Sequence, residues 1–315
     1  MTTIPASLEL RFPARTVGIA LAFVTACVSG VAVYVNAKGV ARFDDATVYT
    51  TAKNAVAGAL LLLFALPLLA APRSSGSRTA RPRTRRHWLG LVAIACIGGS
   101  IPFVLFFEGL SRANATQAAF IHKTLVIWVA LLAVPLLRER LGPAHVGAIG
   151  LLMAGQVWLV GELGVVTFGA GELMILAATL LWAVEVIVVK RLLVPLEPRT
   201  LAAARMALGA VVLVAWVALS GRASELLGLS ASQWGWAVLT GALLTAYVAT
   251  WYAALARAQA VDVTAVLVFG AVVTAALAGV ADGAPIDGIG LILITAGAVL
   301  VVTAAARSGR RVVRA

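Results

Sequence analysis

Apolar runs near the length of a membrane span follow one another along this chain, separated by short gaps that carry prolines, glycines and charges. A bilayer core takes about 20 apolar residues of helix. Ten runs approach that length, at roughly 16–37, 46–71, 88–108, 115–137, 143–160, 171–190, 200–219, 233–254, 261–280 and 286–305. Gaps such as "RERLGP" and "VPLEPR" are helix breakers as well as polar. The pattern predicts an all-α membrane protein of ten transmembrane helices. It also leaves ionisable residues inside or at the ends of apolar runs: Lys53, Glu108, His122, Lys123, Glu185 and Arg205.

Composition narrows the class without changing it. Of 315 residues, 62% are hydrophobic and 12% charged, against roughly 25% charged in soluble proteins. No soluble domain fits between the runs. Cys27 and Cys96 both sit in apolar stretches and suggest neither a disulfide framework nor a metal site. The first run is longer than the apolar part of a signal peptide and has no clear cleavage site, so it reads as a retained helix.

The net charge of +12 is informative through its distribution. With both termini cytoplasmic, the cytoplasmic segments hold seventeen Lys and Arg, and the external loops hold four: Lys38, Arg42, Arg112 and Arg222. This is the positive-inside bias expected in a cytoplasmic (inner) membrane. The basic stretch "PRSSGSRTARPRTRRH" (72–87) interleaves Pro, Ser and Gly with its arginines and has no aromatic residue to stack on a base. It reads as a topology-setting loop, and nucleic acid is not an expected partner.

The chain also repeats itself. Lys38 and Lys53 are related to Lys190 and Arg205 by an offset of 152, and "LSRANA" (110–115) to "LARAQA" (255–260) by 145. The longer arginine-rich loop of the first half absorbs the difference. Two units follow, 1–160 and 161–315, of five spans each. Five is odd, so the second unit enters the membrane from the opposite side. Inverted repeats of this kind place a substrate site near the midplane, between halves that rock about it.

Several segments together resemble an EamA-type member of the drug/metabolite transporter superfamily. They are the Lys38 end of the first span, "LSRANATQAAFI", the "LLRERLG" exit with Glu139, "LLWAVEVIVVK", "AAARMALGA" and "YAALARAQAVDVTAV". The resemblance covers nearly the whole chain and implies proton-linked or facilitated movement of small metabolites, often efflux of amino acids or related compounds. The chain departs from the pattern in three places. Lys53 stands where an arginine is common, Asp282 lies near an expected second exit glutamate, and "HKTL" replaces a proline early in span four.

Charged groups in a membrane cost a few kcal/mol each, and they usually face the bundle interior or a wet cavity and pair there. Lys53, His122 and Lys123 all lie about 10–12 Å below the outer edge at 1.5 Å per residue, with Glu108 slightly shallower. This outer cluster suits an anionic group, and His122 is its candidate proton acceptor. Adjacent helical residues diverge by about 100°, so His122 and Lys123 cannot both face the cavity. Glu185 and Arg205 share a depth near the inner side. They read either as a salt bridge between helices or as a gating or proton-coupling pair. Trp128 and Trp182 are candidate cavity walls.

An enzyme is the rival class, but no nucleophile triad, metal-spaced cluster or phosphate loop is evident. His87 and His145 lie in or near cytoplasmic loops without nearby acidic partners. No cofactor is expected. The expected reading is a secondary transporter, a monomer or homodimer, that moves a carboxylate-bearing metabolite. A nucleotide-sugar or phosphate-ester carrier is the alternative, although phosphate sites favour arginine forks. A non-transporting membrane protein is a further alternative.

Overall fold

The computed structural model describes residues 14–70, 81–113, 115–160, 169–284 and 288–312. The N-terminal segment, the linker at 161–168 and part of the arginine-rich stretch (72–80) lie outside them. Every helix or strand segment described is helical: α1 (Ala14–Val40), α2 (Ala46–Ala70), α3 (Arg85–Ile94), α4 (Ile101–Leu110), α5 (Ala115–Lys123), α6 (Leu125–Leu137) and α7 (Pro143–Val160). After the linker follow α8 (Ala170–Leu192), α9 (Pro198–Leu219), α10 (Ala223–Leu227), α11 (Ala231–Leu255), α12 (Ala260–Leu267), α13 (Gly270–Asp282) and α14 (Gly288–Val312). Among the described residues, nine helical segments are long and apolar enough to cross a membrane, and Pro143–Leu159 is a shorter apolar helix. Large apolar side chains such as Leu63, Phe64, Val211 and Ile292 are exposed on the outside of the bundle, as a lipid-facing surface requires. The molecule is a multi-pass membrane protein.

Three of the expected spans are interrupted. The third consists of α3, a π-helical turn at Ala95–Ser100, and α4. Pro102 has no N–H to give to the carbonyl of Gly98. That freed carbonyl accepts the Trp182 indole N–H at 3.1 Å, and the Gly99 carbonyl accepts Asn54 Nδ2 at 3.4 Å. The fourth span breaks at Thr124, whose hydroxyl bonds back to the Ile121 carbonyl at 2.6 Å and so competes with the helix ladder. The ninth breaks at Val268 and Phe269, whose amides make three-residue bonds to Ala265 and Val266.

These boundaries recur at the sequence interval of 145. α4 ends at Leu110 and α11 at Leu255; α6 covers Leu125–Leu137 and α13 covers Gly270–Asp282. Each of the latter pair ends on a left-handed residue, Arg138 or Gly283. The N–H of the residue after each bonds back to the carbonyl of Ala133 or Ala278.

Close crossings rest on small residues, as membrane packing favours. A Cβ on Gly99 would sit 2.1 Å from the Arg205 carbonyl oxygen, and one on Gly209 would sit 2.7 Å from the Gly99 backbone. The π-turn and α9 therefore touch backbone to backbone. α1 runs along α12 and α13, while α8 packs against α4, α5 and α6. α1 is tied at both ends: Arg15 pairs with Asp262 at 2.7 Å, and Lys38 with Asp282 at 2.7 Å.

Candidate functional site

Phe103, Phe106 and Phe107 recur at helical spacing on one face of α4. Lys53 of α2 is buried against that face. Its Nζ lies 4.3 Å from the Phe107 ring centre, 4.9 Å from that of Tyr49 and 5.7 Å from that of Phe103. It donates to Asn36 Oδ1 at 3.1 Å, which also accepts from the Tyr49 hydroxyl at 2.5 Å. No carboxylate pairs with Lys53 among the described residues. Trp182 of α8 meets Phe103 and Phe106 with ring centres 5.5 and 5.7 Å apart. The His122 ring fits between Phe106 and Trp182, at 5.2 and 5.1 Å. Its Nδ1 has no hydrogen-bond partner among the described residues.

Arg205 also approaches Phe103, with its guanidinium carbon 5.8 Å from the ring centre. Its Nε is 3.4 Å from Glu185 Oε1, an electrostatic contact rather than an aligned hydrogen bond. The Tyr252 hydroxyl donates to the same carboxylate. Gly98 of the π-turn leaves room for this pair, since a Cβ there would lie 2.6 Å from Glu185 Cγ. Lys53 and Arg205, which are 152 residues apart, both lie within 6 Å of the centre of the Phe103 ring. Arg205 has Glu185, whereas the position matching Glu185 in the first half is Val33.

The structure thus brings Lys53, His122, Trp182, Glu185 and Arg205 together around α4. The other three predicted residues lie apart from this cluster. The Trp128 indole donates to Thr124 Oγ1 at 3.0 Å, beside the break in span four. Lys123 is half-buried in the last turn of α5, one residue beyond His122 and on a different face. Glu108 accepts from Thr47 at 2.8 Å and lies 3.3 Å from Arg112 and 3.7 Å from Arg222. It belongs to an ionic network at the end of α4, not to the lysine cluster.

A second buried cluster was missed in the sequence. Asp262 is 0% exposed; besides Arg15 it meets His145, whose Nε2 lies 3.2 Å from Oδ1. The expectation that His145 has no acidic partner is therefore wrong: helix packing, not chain proximity, brings α7 to α12. Next to this cluster, Glu139 accepts the N–H groups of Ala260 and Val261 at 2.7 and 3.1 Å, capping α12. Asn36, Tyr49 and Tyr252 were also missed. They are uncharged residues whose roles depend on the neighbours they meet in the fold. No metal-holding group of His, Cys, Asp or Glu occurs among the described residues.

The model of the EamA-like transporter family matches residues 16–161 and 169–303. An uncharacterized transporter of Archaeoglobus fulgidus is 28% identical over 166 residues, 51% of this chain. That match spans 56% of the relative's length. A protein known from a crystal structure superposes with a TM-score of 0.69 at 20% identity, over 90% of this chain and 97% of its own, a likeness of fold.

Proposed function

The chain belongs to the EamA-like transporter family, and from that premise we propose that it is a secondary transporter of a small carboxylate-bearing metabolite, such as an amino acid, working in the efflux direction by alternating access. Lys53 carries this reading. It is a buried cation whose repeat-related partner has a carboxylate while it has none among the described residues, so a substrate anion is the missing counter-charge. The aromatic faces of Phe103, Phe106, Phe107 and Trp182 supply the apolar walls that small-molecule sites use.

The reading includes ten spans, with α7 as the tenth, in two inverted five-helix units, 1–160 and 161–315. The helix breaks at matching positions of spans four and nine support it, because interrupted helices mark the binding region in repeat-built carriers. Both termini are cytoplasmic in this reading, following the distribution of Lys and Arg. The Asp262 cluster and the Glu139 cap then close the cytoplasmic end, and Glu185 with Arg205 serves as the gating or coupling pair.

The test is counterflow in liposomes with a panel of amino acids, organic acids, sugar phosphates and neutral sugars. Saturable exchange of carboxylates is expected, lowered at least tenfold by Lys53→Gln. Preference for neutral sugars would reject the reading, and preference for sugar phosphates would move it to a phosphate-ester carrier.

A further inference from the structure

Away from the central cluster, a cavity of about 470 Å³ opens between α4, α8 and α9. This volume falls within the roughly 300–1,000 Å³ range of small-molecule sites. Ser100 and Ile101 form its inner end, Trp216 lies along its wall, and Glu108, Arg112 and Arg222 stand at its outer end. Ile101 is 45% and Trp216 49% exposed on the outside of the bundle, so the hollow opens sideways into lipid. α4 spans its length in ten residues, about 15 Å at 1.5 Å per residue. One leaflet of a roughly 30 Å hydrocarbon core has the same depth. The hollow therefore runs from the bilayer middle to one edge, apolar inside and charged only at the edge.

The charges at the edge select the occupant. Two arginines and one glutamate line it. Arg222 is held by Asp45 at 2.5 Å. Arg112 has a side chain 56% exposed, and its ionic contact is the 3.3 Å approach to Glu108. Asp45 and Glu108 balance the two arginines, but the side chains of Asp45, Glu108 and Arg222 are only 22–25% exposed, so the charge presented to the bilayer is that of Arg112, at headgroup depth. We infer that this hollow is a binding site for a bilayer phospholipid with an anionic headgroup, its acyl chain along Trp216 and its phosphate at Arg112. The inference requires only that the protein sits in a membrane, so it stands or falls separately from the transport reading.

Trp216 makes the site measurable. The protein is reconstituted in phosphatidylcholine vesicles containing increasing fractions of bromine-labelled phosphatidylglycerol or bromine-labelled phosphatidylcholine. The Trp216 signal is the emission of the wild type minus that of Trp216→Phe. Half-quenching is expected at a several-fold lower fraction of the glycerol lipid. Arg112→Gln should abolish that preference. Val212→Phe fills the hollow without touching its charged end and should weaken quenching by both lipids. Identical curves for the two lipids in the wild type, or an unchanged preference in Arg112→Gln, would overturn the site. Stronger quenching by a brominated fatty acid than by the glycerol lipid would also overturn it, because the occupant would then be a free amphiphile.

Discussion

Removing a lysine ammonium from water costs several kcal/mol. An aromatic face returns about 0.5–2 kcal/mol; Phe107 and Tyr49 present theirs within 5 Å of Lys53 Nζ, and Asn36 Oδ1 accepts one hydrogen bond from it. The surroundings of Lys53 therefore leave part of that cost uncompensated when no anion is bound. Lys53→Met is expected to keep or raise the Tm in detergent while abolishing carboxylate counterflow. A Tm lowered as far as that of a core truncation would make Lys53 structural instead. Glu185 should behave in the opposite way. Glu185→Gln strands the Arg205 charge and should cost about 3–5 kcal/mol, with Glu185→Gln/Arg205→Leu recovering most of it. A double-mutant cycle on thermal unfolding measures this coupling. The Glu185–Arg205 pair was legible in the sequence because two residues on consecutive spans, each about five from the same membrane edge, must share a depth. The Asp262–His145 contact was not, because hydropathy says nothing of which distant helices become neighbours.

The π-turn between α3 and α4 ties three other helices to one short segment, through Trp182, Asn54 and Gly209. Gly99→Ala should be severely destabilising, since its Cβ has no space beside the Arg205 carbonyl. Overpacking of this kind costs about 1–3 kcal/mol or more. Gly235→Ala, on the open side of α11 with nothing within 4 Å of the new Cβ, should be neutral or slightly stabilising. Comparing detergent Tm values of the two variants separates close approach from general helix propensity. The apolar runs showed where helices lie but not where they break, because a shifted hydrogen bond leaves hydropathy unchanged. Pro102 was a visible signal for the third span. Thr124 was a weak one for the fourth. The Val268–Phe269 break carries no polar mark, and only the 145-residue interval from Thr124 points to it.

For the whole molecule, the proposed alternating access makes the ion pairs at the two ends of α1 candidate gates. Arg15–Asp262 closes the end read as cytoplasmic. Asp262→Asn should shift the population toward the cytoplasm-open state and tighten apparent substrate affinity from that side. A tenfold change corresponds to about 1.4 kcal/mol of shifted equilibrium. Binding measured on inside-out and right-side-out vesicles reads this directly, and equal affinities from both sides would sink the gate. Those same two clamps bind a first-half helix, α1, along α12 and α13 of the second half, while α8 of the second half packs against α4, α5 and α6 of the first. Each half thus lends its opening helix to the other. Fragments 1–165 and 166–315 made separately should be insoluble in mild detergent. Co-expressed, they should purify one to one. Under the proposed two-repeat reading, a half-length chain would cover the same surfaces only as a dimer with exchanged first helices, and joining two copies into one chain makes that exchange permanent.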